Sequence, residues 1–321
     1  MAAVKSLTTT QQNKVSKPRT MWGDVWRKLS WNLPAMMGLT VIIIFYLTAL
    51  SAPILVTHEY DEIDWDNIRA GPSIDHFFGT DELGRDVFSR LVWASRSAAF
   101  VSIFVPIFSL TLGIFFGTLA GYFPGWIDTL IMRIVDVLFA FPGLLLVLLM
   151  AATVRPGYLA WLKSVEIIDF SEFIKQGYAD YVFIFSVLGL IGWGSLARIV
   201  RGQFLTLRER EFVLAARSLG SSQLRIAFKH VLPNALPPVI IIVSGGIGGT
   251  IAAETTLSFL GIGLQIPNPS WGAMINEYYP YLRQPDLWVL LFIPCFILAT
   301  IIMAFTFFGD GLNEAMNPYL D

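Results

Sequence analysis

The sequence predicts an all-α integral membrane protein with six transmembrane helices. Three observations carry this. The 321 residues are 55% hydrophobic and 14% charged, whereas an average soluble domain is about 25% charged. Six stretches reach the roughly 20 apolar residues needed to cross a bilayer core about 30 Å thick. Those stretches are evenly apolar, whereas barrel strands alternate. Too little charge remains to cover a soluble core, which argues against a cytosolic enzyme and against disorder. A formal net charge of −2 gives no electrostatic footprint for nucleic acid. A single cysteine, Cys295, excludes an internal disulfide framework and a thiolate zinc cluster.

The chain divides into an N-terminal tail (1–32), a six-span domain (33–308) and a C-terminal tail (309–321). The first twenty residues are polar and basic and are expected to lack structure. Trp22, Val25, Trp26 and Leu29 recur at helical spacing beside Arg27 and Lys28, which predicts an interfacial helix. The spans run Leu33–Val56, Ala98–Ala120, Leu130–Thr153, Tyr181–Ile199, Leu236–Leu260 and Leu287–Phe308. The first is too long and too far from the N-terminus for a usual signal peptide and reads as an uncleaved anchor. Before the second span, Thr80 is read as the N-cap of a short helix on the outer surface. Asp81 and Glu82 suit its first turn, and Leu83, Val87 and Leu91 form its stripe. Asp136, inside the third span, is read as an intrahelical partner of Arg133.

Basic residues set the orientation. The N-terminal tail and the loop 200–235 hold six Lys/Arg each; the loops 57–96, 154–180 and 261–286 hold four, three and one. Both termini and the 200–235 loop are therefore expected on the cytoplasmic side.

That loop carries the most information. Phe212, Ala215, Ala216 and Leu219 sit at i, i+3, i+4 and i+7, one apolar stripe on a short helix. Gly220 follows as a C′ glycine would, and Ser221 or Ser222 can cap a second helix. There Leu224, Ala227, Phe228 and Val231 repeat the spacing, and Pro233 is expected to end it. Arg208, Arg210, Arg217, Arg225 and Lys229 occupy the polar sides. The pattern fits a hairpin lying on headgroups or a docking element for a soluble partner.

The same segment resembles the coupling loop of membrane subunits of ATP-binding-cassette importers: Glu-Ala-Ala, three residues, Gly, nine residues, Ile, one residue, Leu-Pro. Ala215, Ala216, Gly220, Leu232 and Pro233 match; Leu214 and His230 replace the family's Glu and Ile. The stretches Phe78–Arg90, Leu257–Gly272 and Gly309–Pro318 resemble further signatures of the same family. The chain is therefore similar to the C-type permease of dipeptide and oligopeptide importers from about Trp26 to Pro318. The longer segment 154–180 is a departure.

The resemblance implies a type I importer permease fold and a subunit that forms half of a translocation pathway for di- or oligopeptides. It implies a multi-pass protein of a bacterial or archaeal cytoplasmic membrane. Its implied partners are a homologous permease subunit, two cytoplasmic ATPase subunits and an extracytoplasmic substrate-binding protein. On this reading Phe212, Ala215, Ala216, Arg217, Ser218, Gly220, Arg225 and Pro233 contact an ATPase. Glu254, Gly248, Gly249 and Ser258 in the fifth span are candidates for the pathway or gate. Glu254, as an intramembrane acid, lines the pathway or makes a structural hydrogen bond. The glycines around it serve packing or a hinge.

No catalytic constellation is present, so no enzymatic role is expected. Ser195 has no His or Lys base among the spans. None of the seven lysines follows a glycine, so the phosphate-loop core is absent. No cofactor is expected on this chain, with ATP and Mg placed on the ATPase partners. His58, His76 and His230 are isolated in sequence, and no metal site is expected. A self-sufficient secondary transporter or channel remains the alternative, with only Glu254 and Asp136 available as intramembrane acids.

Overall fold

The computed structural model describes residues 21–165, 169–264, 268–284 and 287–316. The polar start, the 265–267 part of the Leu257–Gly272 motif and the end of the C-terminal motif lie outside the described residues. Helices dominate, and the apolar runs supply six that are long and apolar enough to cross a membrane.

The first helix, α1 (Met21–Trp31), buries Val25 and Leu29 against Ala35 and Ala315 and exposes Trp26. Asn32 separates it from α2 (Leu33–Leu55), whose extent agrees with the expected first span. Asn32 Oδ1 accepts the Ala35 amide at 3.0 Å, and its Nδ2 donates to Glu314 at 2.7 Å. One side chain thus caps α2 and ties it to the far end of the chain.

Helix α3 (Val87–Tyr122) starts well before the expected Ala98. Its N-cap is Asp86, whose Oδ2 accepts the Ser89 amide at 2.7 Å. At about 1.5 Å per residue this helix is about 54 Å long. It packs closely on α7 (Tyr178–Leu207) through Gly113, Gly117 and Gly121. A Cβ at these glycines would lie 2.5, 2.6 and 2.5 Å from the Cβ atoms of Leu196, Val200 and Phe204. A four-residue spacing of glycines lets two backbones approach where any side chain would hold them apart.

The expected third span is two helices, α4 (Trp126–Ala140) and α5 (Gly143–Ser164). Phe141 and Pro142 between them are extended, with ψ of 140° and 124°. Proline lacks an amide and pushes its predecessor out of helical geometry, so the apolar run is continuous while the helix is not. Helix α5 then continues through Arg155 and Pro156, and Asp180 of α7 pairs with Arg155 at 2.7 Å. With the short α6 (Ser171–Lys175), much of the expected 154–180 loop is helical. Only 6% of the apolar window of α5 is buried, against 44% for α7. Helix α5 therefore lies at the periphery of the bundle.

After α7 come α8 (Glu211–Ser218) and α9 (Gln223–Arg225), a π-helical turn (Ile226–Val231) and α10 (Leu232–Phe259). Pro233 does not end the helix. The π turn absorbs it: the Leu232 amide bonds Ala227 O, five residues back, and Asn234 Nδ2 donates to His230 O at 2.7 Å. Widening the ladder by one residue accommodates a proline that offers no amide. The chain finishes with α11 (Trp271–Tyr278), a 3₁₀ turn (Tyr279–Arg283) and α12 (Trp288–Met316). Helices α2, α10 and α12 share a core built around Phe45, Ile251, Ile301 and Phe305.

Candidate coupling loop and pathway residues

The hairpin between α7 and α10 has two different apolar faces. Val213 and Ala216 of α8 and Ile226, Ala227 and Val231 of the following turn are buried against Val200 and Phe204 of α7 and Tyr122 of α3. Phe212, Leu214, Leu219, Leu224 and Phe228 are exposed, Leu219 at 86%. This corrects the sequence-based stripe. Of Phe212, Ala215, Ala216 and Leu219, only Ala216 faces the core. Two overlapping helical periods share the segment, and the smaller, β-branched set is the one that fits against α7.

The turn is a Schellman motif. The Gly220 amide bonds Arg217 O at 3.0 Å, and the Ser221 amide bonds Ala216 O at 3.1 Å. Gly220 has φ +79°, the left-handed conformation that closes this motif, and a Cβ there would meet nothing within 4 Å. Ser222 then caps the next helix by accepting the Arg225 amide at 3.4 Å. Arg217, Ser218 and Arg225 are exposed beside the apolar residues, as is Pro233. The result is a hairpin closed by its own hydrogen bonds, packed against the bundle on one side and presenting apolar and cationic groups on the other.

The pathway candidates separate. Gly248 is buried against α12: a Cβ there would lie 3.0 Å from Ile302 O and 3.4 Å from Phe305 Cβ. Gly249 faces open space and lines a largely apolar groove of about 490 Å³, with Ser109, Gly143, Leu188, Gly192 and Thr256. Glu254 is 2% exposed. Its Oε1 accepts from Ser258 Oγ at 2.6 Å, and Ser258 Oγ accepts the Leu264 amide at 3.1 Å. Glu254 and Ser258 together hold the turn that ends α10; among the described residues neither lines the groove.

Two other expectations change. Asp136 pairs with Arg198 of α7 at 2.7 Å, and the guanidinium lies 4.6 Å above the Phe139 ring. One turn away, Arg201 holds Asp128 with two parallel bonds. These pairs lock α4 to α7 rather than bracing α4 internally.

Residues 79–86 are a tight turn closed by a bridge between Thr80 and Asp86, not a surface helix. Asp81 is 1% exposed and accepts bonds from the amides of Leu83 and Arg85, from Arg85 Nε at 2.8 Å and from Arg90 Nη1 at 2.6 Å. Glu277 of α11 pairs with both arginines, at 2.8 and 2.7 Å. Arg90 Nη1 also donates to Tyr278 Oη at 3.1 Å. Burial pushes the Tyr278 phenol above its ordinary pKa, so it stays neutral and accepts that bond. Sequence reading missed this network; the buried character of Asp81 shows only once the chain is folded.

The histidines also come together. The rings of His58 and His76 stack with centroids 4.7 Å apart, and His76 Nδ1 lies 3.0 Å from Asp86 Oδ1.

Comparison with known proteins follows the same lines. Residues 113–321 match the family described as "Binding-protein-dependent transport system inner membrane component". Residues 20–72 match the N-terminal transmembrane domain of oligopeptide transport permease C. The chain is 35% identical over 297 residues to a dipeptide transport system permease protein of Alkalihalophilus pseudofirmus, covering 92% of this chain and 90% of the relative. It is 34% identical over 308 residues to an oligopeptide transport system permease protein of Bacillus subtilis, covering 96% and 93%. A glutathione transport system permease protein of Pectobacterium atrosepticum is 33% identical over 306 residues, with 94% and 92% covered.

Proposed function

The chain belongs to the family of binding-protein-dependent transport system inner membrane components, and on that premise we propose that it is one permease subunit of an ATP-driven importer of di- or oligopeptides. It is a multi-pass membrane protein and a transport subunit rather than an enzyme. In this proposal a homologous permease completes the pathway, and two cytoplasmic ATPase subunits dock below. A substrate-binding protein delivers peptide from outside. ATP and Mg sit on the ATPases, and this chain holds no nucleotide. Both termini and the α8–α9 hairpin face the cytoplasm of a bacterial or archaeal cell.

One observation carries the reading: the hairpin is closed by its own hydrogen-bonded turn and is two-faced. Phe212, Leu219, Leu224 and Phe228 are exposed while Val213, Ala216 and Ile226 are buried against α7. An exposed apolar patch rimmed by Arg217 and Arg225 suits insertion into a groove of another protein. A push on that patch passes through the buried face into α7 and, without a break in the helix, into α10. The two move as a unit, which is what alternating access needs from a coupling element. Gly249 lies on the groove between α10 and its neighbours and is the pathway residue this reading favours. The substrate class rests on the names of the relatives, which are dipeptide, oligopeptide and glutathione transport permeases.

The test is uptake of labelled di- and oligopeptides into proteoliposomes containing this chain and its permease partner. ATPase subunits, binding protein and ATP are supplied or withheld. Uptake is expected only with all of them; uptake without ATPases or ATP would make the chain a secondary transporter or channel.

A further inference from the structure

The segment between α2 and α3 returns to its own starting point. His58 lies three residues beyond the end of α2, and its backbone amide donates to Ser89 Oγ in the first turn of α3 at 3.3 Å. That bond brings its ring beside Asp86, the N-cap of α3. His76 enters from the middle of the segment. Its amide donates to Ser73 Oγ at 3.0 Å and its carbonyl accepts the Gly79 amide at 2.9 Å, so its position is fixed by its own turn. One ring nitrogen from each histidine and one Asp86 oxygen then lie within 4.8 Å of one another.

We propose that His58, His76 and Asp86 form a binding site for a divalent transition-metal ion of zinc type, which clamps the end of α2 to the start of α3. The donor set is two imidazoles and one carboxylate, the mixture that suits zinc, with a fourth position left for water. The His76 Nδ1 to Asp86 Oδ1 distance is 3.0 Å. Two ligands of a tetrahedral zinc, each about 2.0–2.1 Å from the metal, are about 3.3 Å apart. The pair therefore already stands close to ligating geometry. His58 is half-buried and follows a helix end, so its ring can close the remaining distance.

The surroundings fit as well. With Nδ1 on the metal, His76 carries its proton on Nε2, which faces Asp64 Oδ2 at 3.4 Å. A carboxylate behind a ligating imidazole fixes its tautomer and strengthens it as a donor. The other Asp86 oxygen stays on the Ser89 amide, so the N-cap survives binding. The competing account is a metal-free His76 imidazolium held between Asp86 and Asp64, with His58 as a packing ring. Since the chain's only cysteine is Cys295, no disulfide can supply such a cross-link.

The full-length chain, purified without a histidine tag together with its permease partner, is dialysed against zinc and its metal content measured. Cobalt alone is then bound, and its ligand-field absorption reports coordination by nitrogen and oxygen. One zinc per chain is expected, with the intense visible bands of four-coordinate cobalt. His58→Ala and Asp86→Asn should each weaken zinc binding at least tenfold. Asparagine still caps a helix, so Asp86→Asn separates loss of a ligand from loss of the fold. His230→Ala, a control on the hairpin, should bind as the parent does. No bound zinc in the parent, or equal retention in His58→Ala and Asp86→Asn, would overturn the site in favour of the imidazolium account.

Discussion

Arg85 and Glu277 stand 192 positions apart in the chain and 2.8 Å apart in space. Their contact joins the turn before α3 to α11 and is one edge of a buried network centred on Asp81. Asp81 sits between two guanidiniums, Arg85 and Arg90, and is itself 1% exposed. Removing one member of a buried ion pair strands the other charge at a cost of about 3–5 kcal/mol. Glu277 is one-third exposed and remains with both arginines, which places Asp81→Asn near 3 kcal/mol, the low end of that range. Glu277→Gln, by contrast, removes a charge that water partly screens, and about 1 kcal/mol or less is expected. Thermal unfolding of the purified permease pair should rank the variants in that order. An equal loss in both would mean that Asp81 is not the centre of the network.

Gly220 has a different constraint: space is open around it, and only its φ of +79° is demanding. A residue that tolerates the left-handed region should therefore serve. Gly220→Asn is expected to retain most peptide uptake and ATPase stimulation. Gly220→Val should reduce both several-fold, because a β-branched residue pays about 1–2 kcal/mol or more in that conformation and opens the Schellman turn. The ATPase activity of the assembled transporter with and without peptide is the measurement. Equal behaviour of the two variants would show that hairpin geometry does not govern coupling.

These two sites mark how far sequence reading carries. The Gly220 turn and the serine cap after it are local, set within six residues, and their signals are legible without a structure, although only the fold selects Ser222 over Ser221. The Asp81 network depends on Glu277 in another helix, so a string of acids and arginines reads equally well as a surface helix. The hairpin faces were misassigned for a related reason. Phe212 and Leu219 satisfy the helical period as well as Val213 and Ala216 do, and only the shape of Phe204 and Val200 decides which set is buried. The break at Phe141-Pro142 was missed because apolar residues continue across it. The Gly113, Gly117, Gly121 spacing went unread, and its role shows only once α7 packs against it.

Gly248, Gly249 and Gly309 allow packing and pathway to be told apart on neighbouring turns. A Cβ on Gly309 would lie 2.4 Å from the Gly245 backbone, and one on Gly248 would lie 3.0 Å from Ile302 O, whereas Gly249 meets nothing within 4 Å. Overpacking a tight contact typically costs about 1–3 kcal/mol. Stability is therefore expected to fall in the order Gly249→Ala, Gly248→Ala, Gly309→Ala, with the first close to the parent. Gly249→Trp should leave unfolding nearly unchanged and abolish uptake by filling the groove. Normal uptake in a folded Gly249→Trp transporter would remove that groove from the pathway.

Glu254 poses the sharper question, since an acid near the end of a membrane helix serves either its charge or its hydrogen bond. In this chain its Oε1 takes the Ser258 hydroxyl at 2.6 Å, and Ser258 in turn takes the Leu264 amide. The first link needs an acceptor at Oε1 and the second an acceptor at Ser258 Oγ; neither needs a negative charge. Glutamine keeps that oxygen, so Glu254→Gln is expected to fold and to retain at least half of the parent's uptake. Alanine leaves the buried Ser258 hydroxyl without its acceptor, a loss of about 1–3 kcal/mol before any cavity is counted. Glu254→Ala should therefore unfold at lower temperature and loosen the turn that ends α10. Comparing uptake per folded transporter for the two variants separates the roles. Loss of transport in Glu254→Gln at parental stability would mean that the charge itself faces the substrate path or the partner permease. Retention assigns Glu254 to the architecture of α10 and leaves the pathway to the open side of that helix, at Gly249.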